Sequence, residues 1–133
     1  MTISPTKHIR ETILTALKAD AATVALVPRL YPTKTPNAAQ RPFGRYGTSD
    51  GLPERAAGWS GASVSSIYHV FVGRTDSVPD PESYCSDAVD AVADVIDSLA
   101  GCFVDRTQVI PDTAEPDAHH GLVYFTYTAL TEL

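Results

Sequence analysis

The chain has 133 residues, of which 44% are hydrophobic and 20% charged, with a formal net charge of −6, a balance that fits one globular domain able to fold without disulfide or metal staples. The acidic excess speaks against free nucleic acid as the main ligand. No apolar run reaches the roughly 18 residues of a membrane span, and the N-terminus lacks the apolar region of a secretory signal.

Ser4 is placed to cap a first helix running from about Pro5 to Lys18, with Pro5 at the first helical position and Glu11 in its first half. Ile9, Ile13, Leu14 and Leu17 recur at helical spacing and mark its buried face. Asp20 caps a second short helix over Ala21–Val27, which Pro28 closes. Leu30 and Tyr31 read as a short strand, residues 32–42 as a connector, and Pro42–Thr48 as a strand weakened by Gly44 and Gly47. Residues 47–61 are Gly-rich and aperiodic, and read as an arm or a long hairpin.

Ala62–Gly73 alternates, with Ser65, Ile67, His69 and Phe71 on one face and Ser66, Tyr68, Val70 and Val72 on the other. Both faces turn apolar toward its end, which predicts a central strand. Asp80, Pro81 and Glu82 open a helix that runs to Leu99 on the stripe Cys85, Ala88, Val89, Val92, Val95, Ile96, Leu99, and Gly101 ends it. Phe103–Ile110 reads as a strand, residues 111–121 as a polar loop, and Leu122–Leu130 as the last strand. The order predicts an α+β fold over residues 1–133, an antiparallel or mixed β-sheet with helices packed on one face and a long Gly-rich hairpin arm.

The overall charge conceals a split. Residues 1–60 carry eight Lys/Arg against four Asp/Glu, a net of +4, whereas residues 61–133 carry two against twelve, a net of −10. Such a chain can attract a copy of itself head to tail, as a ring or stack requires, unless the two halves interleave in the fold and the asymmetry averages out. Arg41, Arg45 and Arg55 are the candidate interface cations. Trp59, between Gly58 and Ser60-Gly61, is either folded onto its own core or an anchor for a partner pocket. Asp87, Asp90, Asp94 and Asp97 fall at i, i+3, i+7 and i+10 opposite the apolar stripe. They read as a solvated face, as a surface for the basic half of a neighbour, or as a lining past which DNA slides without sticking.

No catalytic set emerges from the residues. His69 has no Ser-His-Asp spacing around it and reads as a satisfied or interfacial histidine. His119 and His120 lie near Asp112, Glu115 and Asp117, but adjacent histidines point different ways and rarely share one ion; a solvated loop before the last strand is the simpler reading. Cys85 and Cys102 have no CxxC spacing and read as buried small hydrophobes in a reducing compartment. No cofactor or metal is expected.

The segments IRETILTALKADAATVALVPRLYP, IYHVFVGRTDSVPDPESYCSDAVDAVADVIDSL and HHGLVYFTYTAL resemble, in order and spacing of elements, the tail-completion or tail-terminator proteins of long-tailed bacteriophages, the broad family that includes head-to-tail joining proteins. The second strand departs from the family pattern, as does the long loop with Trp59. The resemblance implies a non-enzymatic virion protein, assembled in the host cytoplasm, that forms a ring, commonly of six subunits, at the head-proximal end of the tail tube. Such a ring ends tube polymerisation and meets the head connector or stopper protein, with DNA passing through its lumen and no membrane involved. The alternatives are a connector or adaptor on the head side and a small ligand-binding α+β domain, which a deep polar pocket around His69 would favour.

Overall fold

The computed structural model describes residues 5–36, 39–56 and 59–132, with the side chains of residues 52–60 and 130–132 outside the described set. Helix α1 (Pro5–Ala19) buries Ile9, Ile13 and Leu17, spaced so that all three stack on one side. Leu14 packs partly buried beside them. Helix α2 (Ala21–Leu26) starts where the Asp20 carboxylate accepts the Thr23 N–H at 3.0 Å and the Thr23 hydroxyl at 2.7 Å, which satisfies an otherwise orphaned helix-end donor.

Five strands follow: β1 (Arg29–Tyr31), β2 (Phe43–Ala56), β3 (Trp59–Gly73), β4 (Cys102–Pro111) and β5 (Ala118–Glu132), with helix α3 (Pro81–Asp97) between β3 and β4. They form one mixed sheet in the order β1-β2-β3-β5-β4, in which only the β1–β2 pair is parallel. The α+β class read from the sequence is therefore correct, and β3 is the central strand.

Strand alternation sorts the sheet into two faces. Val64, Ser66, Tyr68, Val70 and Val72 of β3 are buried, as are Val123 and Phe125 of β5, and they share one core with Ile9, Ile13 and Leu17 of α1 and Cys85, Ala88, Val89, Val92 and Ile96 of α3. Fully burying each Val, Leu, Ile or Phe side chain of this core stabilises the fold by about 1.5–3 kcal/mol. Gly121 of β5 lies where α3 comes closest: a Cβ there would overlap Val89 Cγ2 and sit 3.0 Å from Cys85 Sγ. The Asp80 carboxylate accepts the Ser83 N–H at 3.3 Å and caps α3, with Pro81 at its first turn. The Tyr84 hydroxyl donates to the Leu26 carbonyl at 2.7 Å and ties α3 to the end of α2. Burial pushes the Cys85 thiol up to about 12 and, with the Asp97 charge adding to burial, the Cys102 thiol to about 11; both cysteines are free.

Of the segment read as an arm or a long hairpin, residues 47–56 and 59–61 are strand: β2 and β3 pair antiparallel out to Ala56 opposite Trp59, and β5 pairs with β3 from the same end, Trp59 opposite Glu132. The ladder is made by the backbone, so it does not need apolar alternation. Pro53 is tolerated because β1 covers β2 only over Phe43–Arg45, which leaves the rest of β2 an edge. His119 and His120, expected in a loop, lie in β5 opposite Val72 and Phe71. The connector shrinks to a short turn at residues 112–117, closed by the Asp112 N–H donating to the Ala118 carbonyl at 2.9 Å.

The charge split survives folding. The basic N-terminal part builds α1, α2 and the β1–β2 edge, while the acidic part builds α3 and the β5–β4 edge. The halves sit side by side rather than interleaved. Among the described residues, no helix is long and apolar enough to cross a membrane.

Candidate functional site

The sheet face turned away from the helices carries an unusual row of side chains. Register places Tyr31, Phe43, Phe71 and His120 across β1, β2, β3 and β5. Their rings meet in sequence: Tyr31 on Phe43 at 6.0 Å between centroids, Phe43 on Phe71 at 4.8 Å, and Phe71 on His120 at 4.3 Å with a 15° tilt. Cross-strand aromatic pairs of this kind stabilise a sheet by about 0.2–1 kcal/mol each. The Arg45 guanidinium lies 5.5 Å from the Phe71 centroid and that of Arg41 lies 5.9 Å from it. Further along the same face, Arg106 covers the Tyr124 ring at 4.0 Å, and Phe103 is 66% exposed.

His69 joins this row from β3. Its Nδ1 lies 2.7 Å from His120 Nε2, so one ring donates its N–H and the other accepts on a bare nitrogen. Burial, then the neighbouring His120 and Arg45 charges, lower the His69 pKa to about 4. Burial lowers that of His120 as well, with Arg45 and Arg41 acting in the same direction and Asp112 against. Both rings are therefore neutral near pH 7. Gly47 sits where β2 bulges between Tyr46 and Ser49, and a Cβ there would lie 2.5 Å from His69 Nε2 and 2.8 Å from the Ile67 carbonyl. The bulge needs glycine because the imidazole occupies the side-chain position.

Of the expected interface cations, Arg41 is engaged within the chain. Its guanidinium meets Asp112 at 2.6 Å and Glu115 at 3.0 Å, with the Arg41 and Asp112 side chains 19% and 11% exposed. Arg45 forms no ion pair among the described residues. Together with Arg10 of α1 it lines an open hollow of about 400 Å³, completed by Thr6, Thr33, Thr48 and Ser49. The Arg10 charge also reaches the Tyr46 phenol, which is held by its bond to Ser66 at 2.8 Å. Arg10 was not legible as a site residue: it flanks Ile9 on α1, and only the packing of α1 against β2 makes it line the same hollow as Arg45. Arg55 and Trp59 lie in β2 and β3, opposite Ser60 and Ala56; their side chains fall outside the described set, so the anchor reading of Trp59 lies there too.

The aspartates of α3 divide. Asp87, Asp90 and Asp94 line a second hollow of about 500 Å³ together with Asp20, at the α2–α3 surface, and form no ion pair among the described residues. Asp97 leaves this set, because its carboxylate accepts the Val104 N–H at 3.0 Å and ties the helix end to β4. His119 and His120, adjacent in a strand, face opposite sides of the sheet. Among the described residues, no group of three or more His, Cys, Asp or Glu could hold a metal ion.

No family model matches the chain, and no curated protein is significantly similar to it in sequence. Among solved structures, a chain of the virion of a native gene transfer agent particle superposes with a TM-score of 0.79 at 16% identity, over 98% of this chain and 100% of that one. At this identity the similarity is one of fold, and it spans both chains end to end.

Proposed function

We propose that the chain is a structural virion subunit of the tail-terminator type. Copies join into a ring at the head-proximal end of a phage-like tail tube, stop its growth and present a surface to the head connector, while DNA passes through the lumen. The observation that carries this reading is the end-to-end fold similarity to a chain of a gene transfer agent virion. It is supported by the order of elements shared with tail-terminator proteins and by the segregation of charge into a basic and an acidic side, which suits a head-to-tail closing contact. The role needs no chemistry. The open sheet face of Phe43, Phe71, His120 and Arg45 is a stacked, rigid surface of the kind that packs against another protein rather than a pocket that holds a substrate.

Tube polymerisation tests the reading. The cognate tail tube protein is polymerised with increasing amounts of this chain, and tube length and ends are measured by negative-stain microscopy. A terminator shortens the tubes and leaves extra density at one end. Tubes of unchanged length with bare ends would contradict the role.

A further inference from the structure

The chain carries two hollows of opposite sign on separate elements. One, where α1 meets the edge of β2, is lined by Arg10 from the helix side and by Arg45, whose guanidinium lies over Phe71 on the open face, together with Thr6, Thr33, Thr48 and Ser49, the last bonded through its hydroxyl to Ser66. The other, at the α2–α3 surface, presents Asp87, Asp90 and Asp94 with Asp20. None of these arginines, nor Asp87, Asp90 or Asp94, forms an ion pair among the described residues. Arg41 and Asp97 behave differently: Arg41 is consumed by Asp112 and Glu115, and Asp97 by the β4 backbone.

We infer that the Arg10–Arg45 surface meets the Asp87–Asp90–Asp94 surface of a second copy, and that this contact is the junction between neighbouring subunits. The inference rests on the self-assembly reading above and adds which surfaces meet. Guanidinium groups can hold carboxylates through paired, charge-assisted hydrogen bonds, and the surrounding hydroxyls can donate to the remaining oxygens. Asp87, Asp90 and Asp94 follow one side of α3 and line its hollow, so the match to Arg10 and Arg45 is one of charge, three carboxylates against two cations. The two surfaces share no residue, so each subunit can use both at once, as a ring demands. Placing either hollow against its own copy would bring like charges together, which is the unfavourable arrangement.

Two neutral variants of the full chain test the junction: Arg10→Gln/Arg45→Gln, and Asp87→Asn/Asp90→Asn/Asp94→Asn. Each keeps one of the two surfaces intact. Mass is measured by light scattering at low salt, alone and as an equimolar mixture, with melting curves to establish that each variant is folded. The expected result is that the wild-type chain associates beyond a dimer and each variant alone falls to the 14.2 kDa of one chain. Mixing then yields a 1:1 dimer and nothing larger, because only one junction can form. Arg45→Lys, which keeps the charge while altering the stack on Phe71, retains wild-type association.

Folded variants that keep the wild-type mass would overturn the junction and leave the ring reading standing. A mixture that stays monomeric would overturn it as well, since both surfaces would then matter but not to each other. Wild-type chain that stops at a dimer, with the mixture still pairing, would support the junction and count against the ring. Wild-type chain that is monomeric throughout would overturn the junction between free copies. Duplex DNA bound by the wild-type chain and released by Arg10→Gln/Arg45→Gln, with association unchanged, would give the hollow a phosphate occupant and overturn the inference.

Discussion

His69 and His120 share one hydrogen bond across the β3–β5 ladder, Nδ1 to Nε2 at 2.7 Å, inside a stack that also holds Phe71. The bond exists only while at least one ring keeps a bare nitrogen. Protonating both places two like charges in contact, beside the fixed charge of Arg45.

The pair therefore makes stability depend on pH. The folded His69 pKa, about 4, lies below the ordinary 6.5, so between these values the unfolded chain binds more protons than the folded one. Its contribution is complete above about pH 6.5, declines as pH falls toward about 4, and levels off below that. Urea unfolding across this window should show falling stability, and His69→Gln should flatten the slope. A wild-type profile identical to that of the variant would contradict the assignment.

Gly47→Ala should destabilise the fold by about 1–3 kcal/mol, the usual cost of forcing an added group into a packed site. The added methyl meets the His69 ring at 2.5 Å and a backbone carbonyl at 2.8 Å, and the carbonyl cannot rotate away. Chemical shifts of the His69 and His120 ring protons should move in the same variant. An alanine that leaves both stability and shifts unchanged would show that the bulge accepts a side chain.

Arg41→Ala should cost about 3 kcal/mol, at the low end for removing one partner of a largely buried ion pair. Asp112, with its side chain 11% exposed, loses the guanidinium at 2.6 Å. Because Arg41 is spent inside the chain, the variant should still associate at concentrations where it is folded, unlike Arg10→Gln/Arg45→Gln. Loss of association by a fully folded Arg41→Ala chain would place Arg41 at the junction.

Asp20→Ala should lower stability through loss of the α2 cap. The carboxylate is held below its ordinary pKa by its bonds to the Thr23 hydroxyl and N–H. The stability it contributes is thus present above the ordinary value of 3.8 and is lost as pH falls through its lower folded value. Denaturant midpoints at pH 7 should separate the variant from wild type, and the gap should narrow in acid.

Much of this fold was legible because local signals agreed. Asp80, Pro81 and the Cys85–Ile96 stripe each point to α3, and Asp20 marks α2 with its own capping bonds. The alternation around Tyr68 and Val70 identified the central strand. Residues 47–56 and 59–61 were left between an arm and a long hairpin because pairing there comes from the backbone ladder, not from apolar spacing. The histidine pair was hidden for a different reason: His69 and His120 are 51 positions apart and meet only through register. Arg41 and Asp112, 71 positions apart, show the same limit, so the sequence could nominate Arg41 as an interface cation without revealing that its charge is already matched. Arg45 and the Asp87–Asp94 part of the acidic stripe were nominated from charge alone. The fold adds that neither has an ion-pair partner among the described residues and that Arg10 lines the same hollow as Arg45.

The most direct measurement is the mass of the wild-type chain by light scattering across protein concentration and ionic strength, with negative-stain images of the same samples. Closed rings of about six subunits at low salt, loosening as the screening length shortens from about 8 Å at physiological ionic strength to about 3 Å at 1 M, are the predicted result. A single 14.2 kDa species at every concentration and salt, unchanged when tail tube protein is added, would contradict assembly as the function of this chain.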